Sequence, residues 1–135
     1  MKKISTTLYE ILYVSTLSPE EPLSVVGDIA VKARIANAER DITGLLIFDG
    51  MRFCQQLEGD QKQVLALLER IRQDIRHINM QVLHHGELTA RRFRRFSLGY
   101  CIVEDDDVLE RMEQLDGQAA LDAFTGLLSR LDLDA

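Results

Sequence analysis

The sequence predicts an α+β domain whose strands and helices follow the order βαββαββ, with further helices at the C-terminus. Segments with apolar residues at every second position alternate with segments in which they recur every three or four residues. Asp49-Gly50, between two apolar runs, marks a hairpin. The 135 residues, 46% of them hydrophobic, suffice for one compact domain with a single core.

The first strand and the first helix are predicted over 8–15 and 24–38. The strand alternates and is rich in β-forming side chains, which places Tyr9 and Tyr13 on the same side. Ser24 is the expected N-cap of the helix. The apolar stripe of this helix consists of Val26, Ile29, Ala30 and Ala33.

The hairpin, ITGLLIFDGMRFCQQLEG over 42–59, carries a primary amide where an apolar side chain is expected. Asp49-Gly50 is predicted to form a two-residue type I′ loop, which requires positive φ at both positions. Alternation puts Gln55 on the same face as Phe53. A buried amide without partners costs about 1–3 kcal/mol, so Gln55 needs a hydrogen-bonding partner. The opposite face of this strand carries Arg52, Cys54, Gln56 and Glu58.

Asp60 is predicted to begin a second helix, with Gln63 as its capping-box partner. Strands over 80–88 and 93–103 follow, on either side of a turn at 89–92. The apolar stripe of the second helix consists of Val64, Leu67, Leu68, Ile71 and Ile75.

This order matches a ferredoxin-like fold, βαββαβ(β), with a five-stranded mixed sheet and two helices on one face. C-terminal helices are expected to cover the other face. Residues 1–103 are predicted as the core domain and 104–135 as a helical cap, with 104–107 as a charged connector rather than a metal site. The cap helices have apolar residues at Val108, Met112, Leu115, Leu121, Phe124, Leu128 and Leu131.

The net charge of −6, from 16 basic and 22 acidic residues, argues against nucleic-acid binding and against attachment to an anionic membrane. The arginine cluster at 91–95 is interpreted as a solvated turn rather than a phosphate site. With no apolar run long enough to span a bilayer and no secretory signal, a cytoplasmic protein is expected. Cys54 and Cys101 are predicted to be reduced core thiols.

Enzyme motifs such as a P-loop, GxGxxG, HExxH or GxSxG do not occur in the sequence. His84 and His85 are neighbours in a strand and must point to opposite faces. Glu58 could act as a general base, but no nucleophile or second acid stands in a definite relation to it.

Polar side chains instead converge on the helix-covered side of the sheet. Taken singly, Asn37 is most simply a helix C-cap, and Asp74 with Arg76 a surface pair. Taken together, these side chains predict a cleft between the two helices lined by amides, a guanidinium and a phenol. The residues of this predicted cleft are Tyr13, Asn37, Gln55, Asp74, Arg76 and His77.

Four separated segments resemble the BLUF family of blue-light sensors that use FAD. The resemblance covers roughly residues 8–103, in order and without large gaps. It is carried by LYVS (12–15), ARIANAERDITGLLIFDGMRFCQQLEG (33–59), IRQDIRH (71–77) and RRFRRFSLGY (91–100).

The resemblance implies that FAD binds non-covalently between the two helices, and FMN or riboflavin could substitute for it. Tyr13 matches the photoactive tyrosine of the family, and Gln55 matches its switching glutamine, placed between the phenol and flavin N5 and C4=O. On this basis, excitation draws an electron and a proton from Tyr13, and Gln55 is left rearranged by rotation or tautomerisation. A stronger hydrogen bond at C4=O then shifts the absorption to longer wavelength.

The resemblance also implies cofactor contacts elsewhere. Asn37 matches the asparagine at the C4=O and N3 edge, and Arg76 matches the arginine near C2=O. Asp74 and His77 belong to the same flavin-flanking loop. Three positions depart from common family residues: Phe96 and Leu98, where Trp and Met are frequent signal-relay residues, and Ala36, where some members place a ring-stacking side chain.

These implications favour a photoreceptor without enzymatic activity that signals to a partner protein in trans, with a homo-oligomer as the default assembly. One alternative is a light-independent ligand- or protein-binding module of the same fold, which would be colourless. Another is a small phosphoryl or acyl hydrolase, whose turnover would depend on Glu58 or His77.

Overall fold

A computed structural model of the chain describes residues 7–94, 96–100 and 108–128, and for 96–100 it describes the backbone alone. In chain order the elements are β1 (Leu8–Leu17), α1 (Val25–Glu39), β2 (Thr43–Phe48), β3 (Arg52–Asp60), α2 (Gln61–Gln73), β4 (His77–Glu87), β5 (Phe96–Tyr100), α3 (Val108–Met112) and α4 (Gly117–Leu128). The predicted α+β, ferredoxin-like architecture is confirmed.

The sheet has the strand order β4-β1-β3-β2-β5. The first four of these strands are antiparallel, as the βαββαβ plan requires. β5 pairs in parallel with β2, with Leu98 opposite Leu46. β3 is therefore the middle strand, and its register with β1 places Tyr13 opposite Gln55.

Each face of the sheet carries its own apolar core. Tyr13, Phe53 and Leu57 belong to the core under α1 and α2. Leu12 and Cys54, on the alternate positions of the same strands, belong to the core under α3 and α4. The prediction that the C-terminal helices cover the second face is confirmed for the described part of these helices.

The hairpin turn differs from the predicted type I′ loop. Asp49 N–H donates to Arg52 O at 3.1 Å, so the central pair of the turn is Gly50-Met51 rather than Asp49-Gly50. Only Gly50 of this pair has positive φ, at 101°, which is the requirement of a type II′ turn. The Asp49 carboxylate accepts hydrogen bonds from the backbone N–H of Met51 and Arg52 at 2.9 and 2.7 Å. This local bonding displaces the loop by one residue.

The N-terminus of α1 also differs from its prediction, because the Ser24 side chain makes no capping hydrogen bond. The backbone enters the helix through bonds from Val25 N–H to Pro22 O, at 3.0 Å, and from Val26 N–H to Leu23 O, at 3.1 Å. The chain therefore begins α1 through main-chain turns.

The predicted cap of α2 is confirmed, since Asp60 accepts a hydrogen bond from Gln63 N–H at 3.3 Å. The predicted apolar stripe of α2 is too long at its C-terminal end, however. α2 ends at Gln73, and Asp74 is extended with ψ of 117°. Ile75 consequently leaves the apolar face and is 85% exposed.

The arginine cluster, predicted to be a solvated turn, also forms ion pairs through its first two members. The side chains of Arg91 and Arg92 are 27% and 29% exposed, and each pairs with a carboxylate. Their partners are Asp41 and Glu10, respectively. Arg94 is exposed, as predicted.

The predictions for Cys54 and for the two adjacent histidines are confirmed. Cys54 is a buried free thiol, as predicted. His84 bonds to Glu10 and His85 to Tyr9, on opposite faces of the sheet, as predicted. Within the described ranges, no helix is both long and apolar enough to cross a bilayer. The predictions for Cys101, the connector 104–107, Arg95 and Leu131 lie outside the described residues.

We expect Gly44→Ala to lower the free energy of unfolding by about 2–4 kcal/mol, measured by urea denaturation. Gly44 has φ of +150°, and a Cβ there would lie 1.9 Å from the carbonyl oxygen of Gln56 on β3. As a control, Gly27→Ala in α1, where a Cβ would meet no described atom within 4 Å, should raise stability by about 0.5–1 kcal/mol. Equal effects at the two glycines would contradict the steric argument.

Candidate functional site

A cleft of about 280 Å³ opens between α1 and α2, with the sheet as its floor. This volume is just below the range of about 300–1,000 Å³ that is usual for small-molecule sites. Tyr13 and Gln55 lie on the floor, because β1 and β3 direct alternate residues toward the two helices. The six predicted cleft residues, Tyr13, Asn37, Gln55, Asp74, Arg76 and His77, all line it.

Tyr13 and Gln55 are hydrogen-bonded partners on the cleft floor. The phenolic O–H of Tyr13 donates to Gln55 Oε1, and the two side chains face one another across the β1–β3 ladder. Tyr13 is 0% exposed and Gln55 is 4% exposed. Burial raises the pKa of the Tyr13 phenol far above its ordinary value, so the hydroxyl keeps its proton at neutral pH. Tyr13 is consequently the donor in this bond.

Asn37 contributes an unsatisfied donor to the cleft. The interpretation of this residue as a helix C-cap is wrong, because it lies inside α1 and is 1% exposed. Its Nδ2 is buried and has no hydrogen-bond partner among the described residues. Leaving such a donor unpaired costs about 1–3 kcal/mol, so the site is suited to a ligand that presents a carbonyl acceptor.

Asp74 and Arg76 form an ion pair at the rim, with Arg76 Nη2 2.6 Å from Asp74 Oδ2. The Arg76 Nε also donates to both carboxylate oxygens, at 3.0 and 3.1 Å. The guanidinium hydrogen bond lowers the pKa of Asp74, and Asp74 in turn raises the pKa of Arg76. Both groups are thus charged at neutral pH, and their charges largely cancel at the cleft rim.

His77 forms one wall of the cleft at the start of β4. Its Nδ1 lies 2.9 Å from Ser15 Oγ, and its ring centroid lies 4.7 Å from that of Phe53. Burial lowers the pKa of His77, although the nearby Asp74 opposes this effect. The imidazole is therefore neutral at pH 7.

Sequence reasoning named several residues of the helical walls as apolar stripes but did not assign them to the cleft, and it missed the charged ones. These residues recur at intervals of three or four along α1 and α2, and that stripe was the available signal. Three of them, Lys32, Arg40 and Arg70, add positive charge to the walls. The remaining helical residues of the lining are Ile29, Ala33, Ala36, Leu67 and Ile71.

Glu58 lies on the opposite face of the sheet from the cleft and from His77, and it is 0% exposed. Its carboxylate accepts hydrogen bonds from Thr43 Oγ1 at 3.1 Å and from the backbone N–H groups of Arg92 and Phe93 at 2.9–3.2 Å. These bonds occupy the carboxylate, so the arrangement gives no support to a hydrolase that uses Glu58 and His77 together.

Phe96 and Leu98 belong to β5, and the structure gives only their backbone positions. Leu98 is in register with Leu46, which itself lines the cleft. Phe96 is in register with Gly44. β5 therefore runs beside the strand that forms one edge of the cleft floor.

The profile of the family described as sensors of blue light using FAD matches residues 8–99. The chain belongs to the BLUF family. This confirms the predicted family, its FAD cofactor and a flavin-binding blue-light photoreceptor role. The donor set of the cleft fits a flavin, because the unpaired Asn37 amide and the Arg76 guanidinium can bond to its carbonyl groups.

Two relatives of this BLUF chain are longer proteins. It is 34% identical over 106 residues to the blue light- and temperature-regulated antirepressor BluF of Escherichia coli. It is 37% identical over 89 residues to photoactivated adenylate cyclase subunit beta of Euglena gracilis. The matches include 76% and 64% of this chain, but only 26% and 10% of those proteins. The chain thus spans about a quarter of the length of BluF and a tenth of the cyclase subunit.

Solved structures share the fold. BlsA in its ground state matches with a TM-score of 0.75 and 27% identity, covering 90% of this chain and 87% of BlsA. BlsA in its photo-activated state matches with a TM-score of 0.72 and 28% identity, covering 87% and 91% of the two chains. BlrP1 of Klebsiella pneumoniae matches with a TM-score of 0.66 and 28% identity, covering 81% of this chain and 28% of BlrP1.

We expect His77 to make the free energy of unfolding depend on pH in the acidic range. Its pKa is lower in the folded chain than the ordinary 6.5, so the unfolded chain takes up the proton first as the pH falls. The free energy of unfolding should therefore decrease as the pH falls below about 6.5 and through the folded pKa. Urea denaturation at pH 7.5 and 5.5 should give a smaller decrease for His77→Gln than for the parent. An unchanged pH dependence in His77→Gln would contradict the assignment.

Proposed function

We propose that Tyr13 and Gln55 form the light-driven switch of this BLUF chain. The observation that carries the proposal is the buried hydrogen bond from the Tyr13 hydroxyl to Gln55 Oε1, on the floor of the cleft. The two groups are shielded from water, so a change in their hydrogen bonding is not masked by solvent.

The residues that would hold the flavin have complementary tasks. Asn37 offers its unpaired amide donor to a ring carbonyl, and Arg76 offers a guanidinium that Asp74 already orients. His77 packs as a neutral wall. The positive charges of Lys32 and Arg70 favour a flavin with phosphate groups, which supports FAD over riboflavin.

The switching chemistry follows from the asymmetry of an amide. When bound, the flavin supplies absorption of blue light and an excited state that accepts an electron. Tyr13 serves as the transient source of an electron and a proton and recovers both, so there is no net redox change. Gln55 accepts from Tyr13 through Oε1, which leaves the donor end of the amide for the ligand. Rotation of the amide, or its tautomerisation, reverses this pattern and changes the absorption.

Output to a separate protein is the second part of the proposal. Residues 1–103 act as the sensor domain, and residues 104–135 act as a cap that relays the state of the cleft. Phe96 and Leu98 serve as relay residues, because their backbone pairs with β2, which forms one edge of the cleft floor. We propose a cytoplasmic protein without enzymatic activity that acts in trans on a partner protein, as a homo-oligomer. The antirepressor name of the BluF relative supports regulation through a protein partner.

We expect the FAD-loaded protein to show a reversible red shift of its flavin absorption under blue light. Gln55→Leu should abolish this shift while flavin stays bound, because leucine has the volume of the amide but offers neither donor nor acceptor. Absorption spectra before and after illumination provide the measurement. Gln56→Leu, the adjacent amide on the opposite face, is the matched control and should keep the shift. A parent that takes up no FAD and stays colourless would favour the light-independent binding module, and a full shift in Gln55→Leu would refute the switch.

We expect Tyr13→Phe to prevent formation of the red-shifted state, because the variant lacks the hydroxyl that donates to Gln55. The unpaired Oε1 should also lower the free energy of unfolding by about 1–3 kcal/mol. Illuminated spectra and urea denaturation measure the two effects. Tyr9→Phe is the control, because Tyr9 occupies the same face of β1 but bonds to His85, at 2.5 Å, outside the cleft. A normal photocycle in Tyr13→Phe would identify another electron donor.

A further inference from the structure

The sheet face opposite the cleft contains a pair of buried carboxylates that the proposed switch does not use. Glu10 on β1 and Glu58 on β3 are directly opposite one another in the ladder. Their exposed fractions are 3% and 0%. Two like charges at such a position repel one another, and removing them from water is unfavourable unless cations or N–H donors compensate.

Arg92, from the segment between β4 and β5, supplies this compensation. Its Nη1 bonds to Glu10 Oε1 and lies 3.9 Å from Glu58 Oε2. The backbone N–H groups of Arg92 and Phe93 both donate to the Glu58 carboxylate. Side chain and main chain together fix this segment to the two middle strands of the sheet. We name Glu10, Glu58 and Arg92 the carboxylate clamp.

The clamp is in contact with residues that lead both to the cleft and to the C-terminal helices. Gln56, the chain neighbour of the switch residue Gln55, donates from Nε2 to Glu10 Oε1 at 2.6 Å. Beyond the clamp, the Phe93 ring meets Phe124 of α4 edge-on, with centroids 6.5 Å apart. A continuous set of contacts therefore connects the cleft floor with α4, through the sheet rather than around it.

Gln56 also has unused hydrogen-bonding capacity at this junction. Its Oε1 is buried without a hydrogen-bond partner among the described residues. An amide that has one end bonded and the other end open can exchange partners when its backbone shifts. β3 carries Gln55 and Gln56 on consecutive residues, so a shift of the main chain at one is shared by the other.

We infer that the carboxylate clamp transmits the state of the cleft to α4. Rearrangement of Gln55 displaces β3 locally, Gln56 changes its bonds to Glu10, and the Arg92–Phe93 segment moves against Phe124. Glu10 and Arg92 are positioning residues in this scheme, because neither touches the cleft. The inference rests on the proposed function, since it needs a light-induced change at Gln55.

The test compares two readouts in the FAD-loaded full chain: the light-induced red shift, and the light-minus-dark difference in deuterium uptake of the α4 amides. The variant Glu10→Gln with Arg92→Met removes the anion and the cation of this ion pair together. Glu58 keeps its hydrogen bonds from Thr43 Oγ1 and from the backbone N–H groups of residues 92 and 93. We expect this variant to keep the red shift. Its light-minus-dark difference in α4 deuterium uptake should be at least about threefold smaller than that of the parent. Arg92→Lys, which keeps the charge, should restore part of the difference. Arg94→Met, from the exposed arginine of the same segment, should equal the parent.

Phe93→Leu tests the contact with α4 without altering the clamp charges, and serves if the double variant does not fold. It should also reduce the α4 difference while the red shift persists. A full α4 difference in the double variant, or in Phe93→Leu, would overturn the inference. So would a parent that shifts its spectrum with no α4 response. A parent with no spectral shift would instead refute the proposed function, and the absorption spectrum alone identifies that case.

Discussion

The hydrogen bond between Tyr13 and Gln55 is the interaction on which the cleft depends, and it depends in turn on the register of two antiparallel strands. The β1–β3 ladder places these residues opposite one another on the face covered by α1 and α2. A slip of one residue would turn Gln55 toward α3 and α4, because side chains alternate between faces. Apolar cores on both faces prevent such a slip.

The sheet separates two polar sites of different character within one domain. The cleft side combines amides, a phenol and a neutral imidazole with the Asp74–Arg76 pair at the rim. The other side contains full charges at the middle of the sheet, compensated by Arg92 and by main-chain donors. β1 and β3 carry the central residues of both sites, Tyr13 and Gln55 on one face and Glu10 and Glu58 on the other. Their backbones are a direct structural connection between the ligand cleft and the core under the C-terminal helices.

The sequence was sufficient to predict the element order and the burial of Gln55, because both follow from local periodicity and alternation. It did not predict the turn at Gly50-Met51, since carboxylate bonds from Asp49 move the loop by one residue. Ile75 continues the helical spacing of α2 but follows an extended residue, so periodicity alone misplaced it. The pairing of Glu10 with Arg92 joins residues separated by 82 positions. Such a contact requires strand register and loop path, and neither is encoded in a local pattern.

The main chain of Asn37 ends a helix, and its side chain lines the cleft. Its carbonyl oxygen accepts from the backbone N–H of Arg40 and of Ile42, at 3.1 and 2.8 Å, and so closes the end of α1. Its amide is left to the cleft. Helix termination is thus independent of the side-chain identity at this position. A substitution at residue 37 that keeps the backbone in place would remove the amide from the cleft and leave the chain reversal into β2 intact, so the polar contact offered to a ligand is separable there from the fold.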